Sequence, residues 1–174
     1  MENEVLRNIK TRRSCRAYTA QQVEPEKLKA ILEAGTWAAS GHGWQAAKIV
    51  VLQDAAEIAE LERMNAAVLG NPAAHPFYGA PVVCVVLADP ERYTCVEDGS
   101  LVMGNLMLAA HSLGVASCWI HRARQEFDSP EGKALLKKWG VDERYIGVGH
   151  CILGYAASEA PAPKPRKNDY VIYR

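Results

Sequence analysis

Residues 81–88 read Pro81-Val82-Val83-Cys84-Val85-Val86-Leu87-Ala88, an apolar run without a charge. A run this short, rich in β-branched residues and opened by proline, suits a strand. Its apolarity is continuous and does not alternate, so both faces of the strand are expected to be covered. Three more Val/Ile-rich segments read as strands: Lys48–Leu52, Val115–Ile120 and Ile146–Leu153. Helical patterns lie between them over Ala55–Leu69, Asp98–Leu113 and Pro130–Trp139. Asp98–Leu113 is apolar nearly all round, which predicts the most buried helix, and Gly114 stands at its stop position.

The N-terminal part is helical first. Val5, Leu6 and Ile9 share one face of a short helix over Val5–Lys10, and Thr11–Tyr18 reads as a loop. Pro25 opens a second helix, with Leu28, Ile31, Leu32 and Gly35 at helical spacing. That helix is expected to end near Ser40-Gly41-His42-Gly43. At the other end, Ala156–Pro165 has too little apolar bulk to pack and reads as an extended arm. It leads to Tyr170-Val171-Ile172-Tyr173, whose strand composition suggests addition to another sheet, a partner's included.

The chain has 174 residues, 49% of them hydrophobic and 23% charged, which suits one globular domain over residues 1–174 and excludes a disordered tail. Lys plus Arg number 20 and Asp plus Glu 20, so the basic excess of a general nucleic-acid coat is missing. The balance is uneven along the chain. Residues 1–16 hold five basic and two acidic residues, and residues 164–174 four basic and one acidic, so both ends are basic and the body is acidic. Five scattered cysteines without a CxxC motif do not form a disulfide framework. With no apolar leader and no long apolar run, the expected location is a reducing cytoplasm without membrane insertion.

Arg12-Arg13-Ser14-Cys15-Arg16 is the sharpest local feature. Three guanidiniums and a hydroxyl in five residues can converge on one phosphate through charge-assisted bonds. The same residues also read as a solvated basic turn, or as a nucleic-acid contact. Lys164-Pro165-Arg166-Lys167 is a second basic cluster, either an ordinary tail or charges held in place by the flanking prolines. Gly41-x-Gly43-x-x-Ala46 follows a helix and precedes a strand, the reverse of the dinucleotide fingerprint, so that match is rejected. Cys118 with His121, and His150 with Cys151, lack the spacing of a metal site, and His150 reads as a core histidine. GxSxG, HExxH and GxxxxGK[ST] are absent, and no acid/base pair stands out, so an enzyme reading calls for a borrowed cofactor.

Several segments, taken in order, resemble the FMN-dependent nitroreductase family. They are Arg12-Arg13-Ser14-x-Arg16-x-Tyr18; Ala38-Ala39-Ser40-Gly41-His42-Gly43-Trp44-Gln45 running on to Val51; Ala80-Pro81-Val82-Val83; Asp98 through Gly114; Ser117-Cys118-Trp119-Ile120; and Leu153-Gly154-Tyr155 with Pro161 through Arg166. The resemblance implies an α+β fold with a mixed sheet flanked by helices, and a homodimer that exchanges the C-terminal arm and strand. It implies an NAD(P)H oxidoreductase using FMN, with NADH or NADPH as reductant and a small nitroaromatic or quinone as acceptor, in a ping-pong cycle. Arg12, Arg13 and Ser14 match the phosphate-side contacts, completed by Lys164 and Arg166. Arg16 matches the basic residue at the flavin pyrimidine edge. Trp119, Ile120 and His121 match the segment along the isoalloxazine that gives a backbone N–H to N5. Ser40, Gly41 and Gln45 match the loop lent by the partner subunit. The flavin carries the chemistry, so no catalytic side chain and no metal is expected.

The loop departs from the family pattern at Gly43, Ala46 and Ala47, while Trp44 adds a ring, so the substrate pocket is expected to differ. A flavin-dependent dehydrogenase, a reductive dehalogenase and a non-enzymatic flavin-binding protein are the alternatives.

Overall fold

The computed structural model describes residues 1–174. Its helices are α1 (Glu4–Thr11), α2 (Pro25–Thr36), α3 (Ala55–Val68), α4 (Cys95–Ser112), α5 (Ala123–Asp128) and α6 (Pro130–Lys138). The strands are β1 (Ala47–Leu52), β2 (Val82–Ala88), β3 (Ala116–Ile120) and β4 (Ile146–Gly154). They form one sheet in the order β1-β2-β4-β3 with every neighbouring pair antiparallel. A parallel bridge between Ser14 and Ser117 adds the loop after α1 to the β3 edge.

The apolar run at 81–88 becomes a central strand, and every residue of β2 and of β4 is buried. Pleating sends Val82, Cys84, Val86 and Ala88 to one face, where α2 and α4 pack through Ile31, Met103 and Leu106. Val83, Val85 and Leu87 face the other side, where Leu61 of α3, Phe127 of α5 and Leu136 of α6 cover them. A bulge in the β2–β4 register at Val86/Leu87 explains why Val148 and Cys151, three residues apart, share a face. The core is thus an α+β sandwich with helices on both sides of the sheet. No helix is long and apolar enough to cross a membrane.

Capping follows the sequence. The Asn3, Asp54 and Ser129 side chains accept backbone amides at the starts of α1, α3 and α6. Two features differ from the expectations, and a third, the terminal segment, makes no pairing within one chain. Helix α2 stops at Thr36, before the Ser40–Gly43 stretch, because the Asn105 side-chain amide takes the Ala34 carbonyl at 2.9 Å and the Thr36 hydroxyl takes that of Glu33 at 2.7 Å. Helix α5 was not expected; six residues are too few for a periodic signal. Tyr170–Tyr173 forms no strand within the chain, and its side chains are exposed.

Helix α4 carries seven buried residues, yet Val96 and Leu101 face outward. Helix α1 turns Val5, Leu6 and Ile9 to the surface as well, and is tied to α4 through the Asn8 side-chain amide, which donates to the Leu108 carbonyl at 2.9 Å. His150 is a core histidine as read, hydrogen-bonded to the buried Glu126 carboxylate.

Candidate functional site

The basic loop is held extended by backbone bonds on both sides. The Cys15 amide donates to the Ser117 carbonyl at 3.0 Å, fixing the loop to the start of β3. The Ala157 amide donates to Ala17 at 2.9 Å and the Thr19 amide to Tyr155 at 2.8 Å, fixing it to the chain leaving β4. Between these seams lies a cleft of ≈ 400 Å³. Arg12 to Ala17 form one wall, Gly114 to Ser117 the floor, and Ala156 with Ser158 to Pro161 of the arm the rim.

Arg12 Nη1 and Ser117 Oγ are buried at this cleft and have no hydrogen-bond partner. Buried polar atoms without partners are costly, and an anionic or polar guest in the cleft would offer these two their missing partners. Ser14 is half-buried beside them and Arg16 is exposed. Arg13 is committed differently: its guanidinium caps α1 by donating to the carbonyls of Lys10 and Arg12, both at 2.7 Å. It therefore shapes the loop while adding charge to the wall. His111 also lines the cleft, with its Nε2 2.8 Å from the Thr11 hydroxyl. Burial, and then the nearby Arg12 and Arg13 guanidiniums, hold its imidazole below the usual range, so the positive charge at neutral pH comes from arginine. The Cys118 thiol is raised, by burial first, against the opposing pull of Arg16 and Ser14, and stays protonated.

Beyond the floor, β3 continues outward. Trp119 is half-buried on the α2/α4 face and lies across Gly149, where a Cβ would come within 2.5 Å of its Nε1. Ile120 is buried on the opposite face. His121 is exposed, and its carbonyl accepts from the buried Asn65 side chain at 2.9 Å.

The other expected residues lie elsewhere in the chain. The Gly41 amide is pinned to the buried Asp98 carboxylate at 2.9 Å, and a Cβ at Gly41 would meet Thr94 Oγ1 at 2.3 Å. Ser40 Oγ accepts the Gln45 amide at 3.1 Å. Trp44 stacks on His42 with ring centroids 4.6 Å apart, and Arg92 lies 5.0 Å from the Trp44 ring. Ser40 and Gln45 border a second, open groove of ≈ 1030 Å³ between α2 and β1. Lys164 and Arg166 sit on the exposed arm, where the Arg166 guanidinium donates to the Lys164 carbonyl at 3.0 Å. A single chain thus brings Arg12, Arg13, Ser14 and Arg16 together, with β3 beside them, and holds the 40–45 loop and the two arm cations apart. Ser117 and His111 escaped the sequence reading; the pairing that carries Ser117 under Ser14 is non-local, and His111 follows from the length of α4.

A guanidinium, two hydroxyls and a positive wall are donor groups of the kind that suit a phosphate-like dianion. A sequence model of the nitroreductase family matches residues 9–155. A relative from Archaeoglobus fulgidus named "Putative NADH dehydrogenase/NAD(P)H nitroreductase" is 32% identical over 161 residues, covering 90% of this chain and 87% of that protein. A Bacteroides fragilis nitroreductase crystal structure with bound FMN superposes with a TM-score of 0.92 and 33% identity, covering 99% of this chain and 100% of that one. One from Desulfitobacterium hafniense, also with bound FMN, gives a TM-score of 0.91 and 30% identity over the whole of both chains.

Proposed function

The chain belongs to the nitroreductase family, and on that premise we propose that it is an FMN-dependent NAD(P)H oxidoreductase that works as a homodimer on small nitroaromatic or quinone acceptors. The observation that carries this reading is the pair of buried, partnerless donors, Arg12 Nη1 and Ser117 Oγ, at a positively charged cleft. They fit a phosphate, which supplies several acceptor oxygens and needs no proton from the protein. The two FMN-bound relatives above cover essentially the whole chain, which supports the same group here.

Bound FMN would supply two-electron chemistry at N5, taking a hydride from NADH or NADPH and giving it to the acceptor in a ping-pong cycle. The chain's part is to hold and to shield. Arg12, Ser14 and Ser117 bind the phosphate, and Arg13 fixes the loop that presents them. Arg16, exposed at the mouth, balances negative charge at the pyrimidine edge. The edge Trp119-Ile120-His121 flanks the ring system and offers backbone amides. Lys164 and Arg166 close the phosphate end when the arm folds over it.

What a single chain leaves open supports the dimer. Val5, Leu6 and Ile9 of α1, Val96 and Leu101 of α4, and Tyr170 to Tyr173 are exposed apolar side chains. The outer edge of β1 has no strand neighbour. Association of two copies covers these faces, lets the arm and terminal strand exchange, and brings Ser40, Gly41 and Gln45 of a second copy to the cofactor. Purified, FMN-loaded protein should bleach on anaerobic NADH or NADPH addition and recover its colour when a nitrobenzene or benzoquinone follows. Initial rates should give parallel double-reciprocal lines. Bound flavin that neither nucleotide reduces would contradict the proposal.

A further inference from the structure

We infer that Asn65 is a positioning residue that holds the turn after β3 in the conformation that presents a backbone amide to the cofactor; this rests on the FMN reading above. Asn65 stands on α3, is fully buried, and makes three hydrogen bonds with the turn. Its Nδ2 donates to the His121 carbonyl at 2.9 Å. Its Oδ1 accepts both Nε and Nη2 of Arg122, at 2.9 and 2.8 Å. A buried asparagine on the helical face of a core is otherwise unfavourable, so the side chain is kept for what it binds.

What it binds is a strained residue. Arg122 has φ 82° and ψ −3°, the left-handed region that a Cβ disfavours and glycine enters freely. Gly70, Gly79, Gly114 and Gly140 meet the same backbone need with glycine; His42, Gln45 and Tyr78 are the other non-glycine residues at positive φ, at 51°, 52° and 54°, and Arg122 lies furthest into that region of the four. Here an arginine is held in that region by a bidentate grip on its guanidinium. Strain kept in place by a dedicated buried partner marks a functional conformation.

The orientation follows from the peptide plane. In a trans peptide the carbonyl of His121 and the amide of Arg122 point in opposite directions. Asn65 fixes the carbonyl toward α3, so the Arg122 N–H faces away from α3. Neither that amide nor the amide of His121 has a backbone acceptor. The turn continues the edge whose start, at Ser117, floors the phosphate cleft. An edge that begins under the phosphate and ends in an amide fixed away from the core can contact both ends of one elongated cofactor.

The test compares the unaltered chain, Asn65→Ala, Asn65→Asp and the double variant Asn65→Ala/Arg122→Gly. FMN affinity is read by flavin fluorescence, and hydrogen–deuterium exchange is followed in the peptide spanning residues 119–124. FMN should slow exchange there in the unaltered chain. Asn65→Ala should weaken FMN about tenfold, equivalent to about 1.4 kcal/mol, and lose the protection. Asn65→Asp keeps the shape of the side chain and its acceptors for Arg122 but has no N–H for the His121 carbonyl, and should do the same if the alanine variant does not fold. Glycine at 122 adopts the left-handed turn unaided, so the double variant should recover affinity to within about threefold, together with the protection. A residue that merely fills the core would not be rescued this way. The inference is overturned if Asn65→Asp binds FMN as the unaltered chain does with protection intact, or if Arg122→Gly restores nothing. FMN binding without protection at 119–124 in the unaltered chain overturns this inference and leaves the oxidoreductase reading standing. No FMN binding at all removes both.

Discussion

The amide of Cys15 donates to the carbonyl of Ser117 at 3.0 Å, and with the single parallel bridge between Ser14 and Ser117 that bond fastens the basic loop to the β3 edge. The contact joins residues about a hundred positions apart and decides the electrostatics of the cleft. Without it, Arg12 to Arg16 would be a solvated turn. With it, Arg12 Nη1 and Ser117 Oγ, both buried and without a hydrogen-bond partner, line the same cleft.

Arg12→Ala should therefore weaken FMN binding about 10- to 150-fold, from about 1.5–3 kcal/mol for a charge-assisted bond. Equilibrium dialysis reads it directly. Unchanged affinity would place the phosphate elsewhere.

The Trp119 indole packs against Gly149, with no room for a side chain between them. Gly149→Ala should displace the indole, lower stability by about 1–3 kcal/mol, and shift the tryptophan emission. A variant that melts like the unaltered chain with unchanged emission would show that the indole is free to move.

Much of the fold was legible because β2 and β4 are buried on both faces and advertise it by composition, and because α4 is a long stretch that is apolar nearly all round. Helix α5 was too short to do so, and the end of α2 depends on Asn105, a residue of another helix. The cleft was half legible. Arg12, Ser14 and Arg16 are adjacent in sequence and were visible as a cluster, whereas Ser117 enters through a non-local pairing that no local pattern announces. Arg13 looked equivalent to Arg12, and only the backbone geometry shows that it caps α1. The family resemblance carried over the arm cations Lys164 and Arg166, and a single chain leaves them outside the cleft.

Removal of the arm before Lys164 should reduce both FMN affinity and dimer content, since it takes away two cations and the exposed Tyr170-Val171-Ile172-Tyr173 segment together. Analytical ultracentrifugation with and without FMN tests this. A truncated chain that stays dimeric and flavin-loaded would remove the arm from the account.

Glu126 and His150 are hydrogen-bonded to each other in the core, both fully buried. Glu126→Leu should cost about 1–3 kcal/mol by leaving His150 Nε2 unsatisfied. A denaturant titration that shows no loss would mean the core repacks around a lone histidine.

Burial pushes the Cys84 thiol up to about 12 from an ordinary value of about 9, and raises that of Cys151 as well. The folded chain then keeps protons that the unfolded chain gives up. Stability should be independent of these thiols below about pH 9 and fall as pH rises toward about 12. Cys84→Ala should make that fall shallower in denaturant titrations across the window. An identical slope would show that Cys84 does not contribute.

If the cleft formed by Arg12, Ser14 and Ser117 holds a flavin, it does so through the phosphate. The most direct measurement is a side-by-side fluorescence titration with FMN and with riboflavin, which has the same ring and no phosphate. Two or more charge-assisted bonds to the phosphate predict FMN binding at least about 100-fold tighter. Equal affinity for the two flavins would contradict the claim.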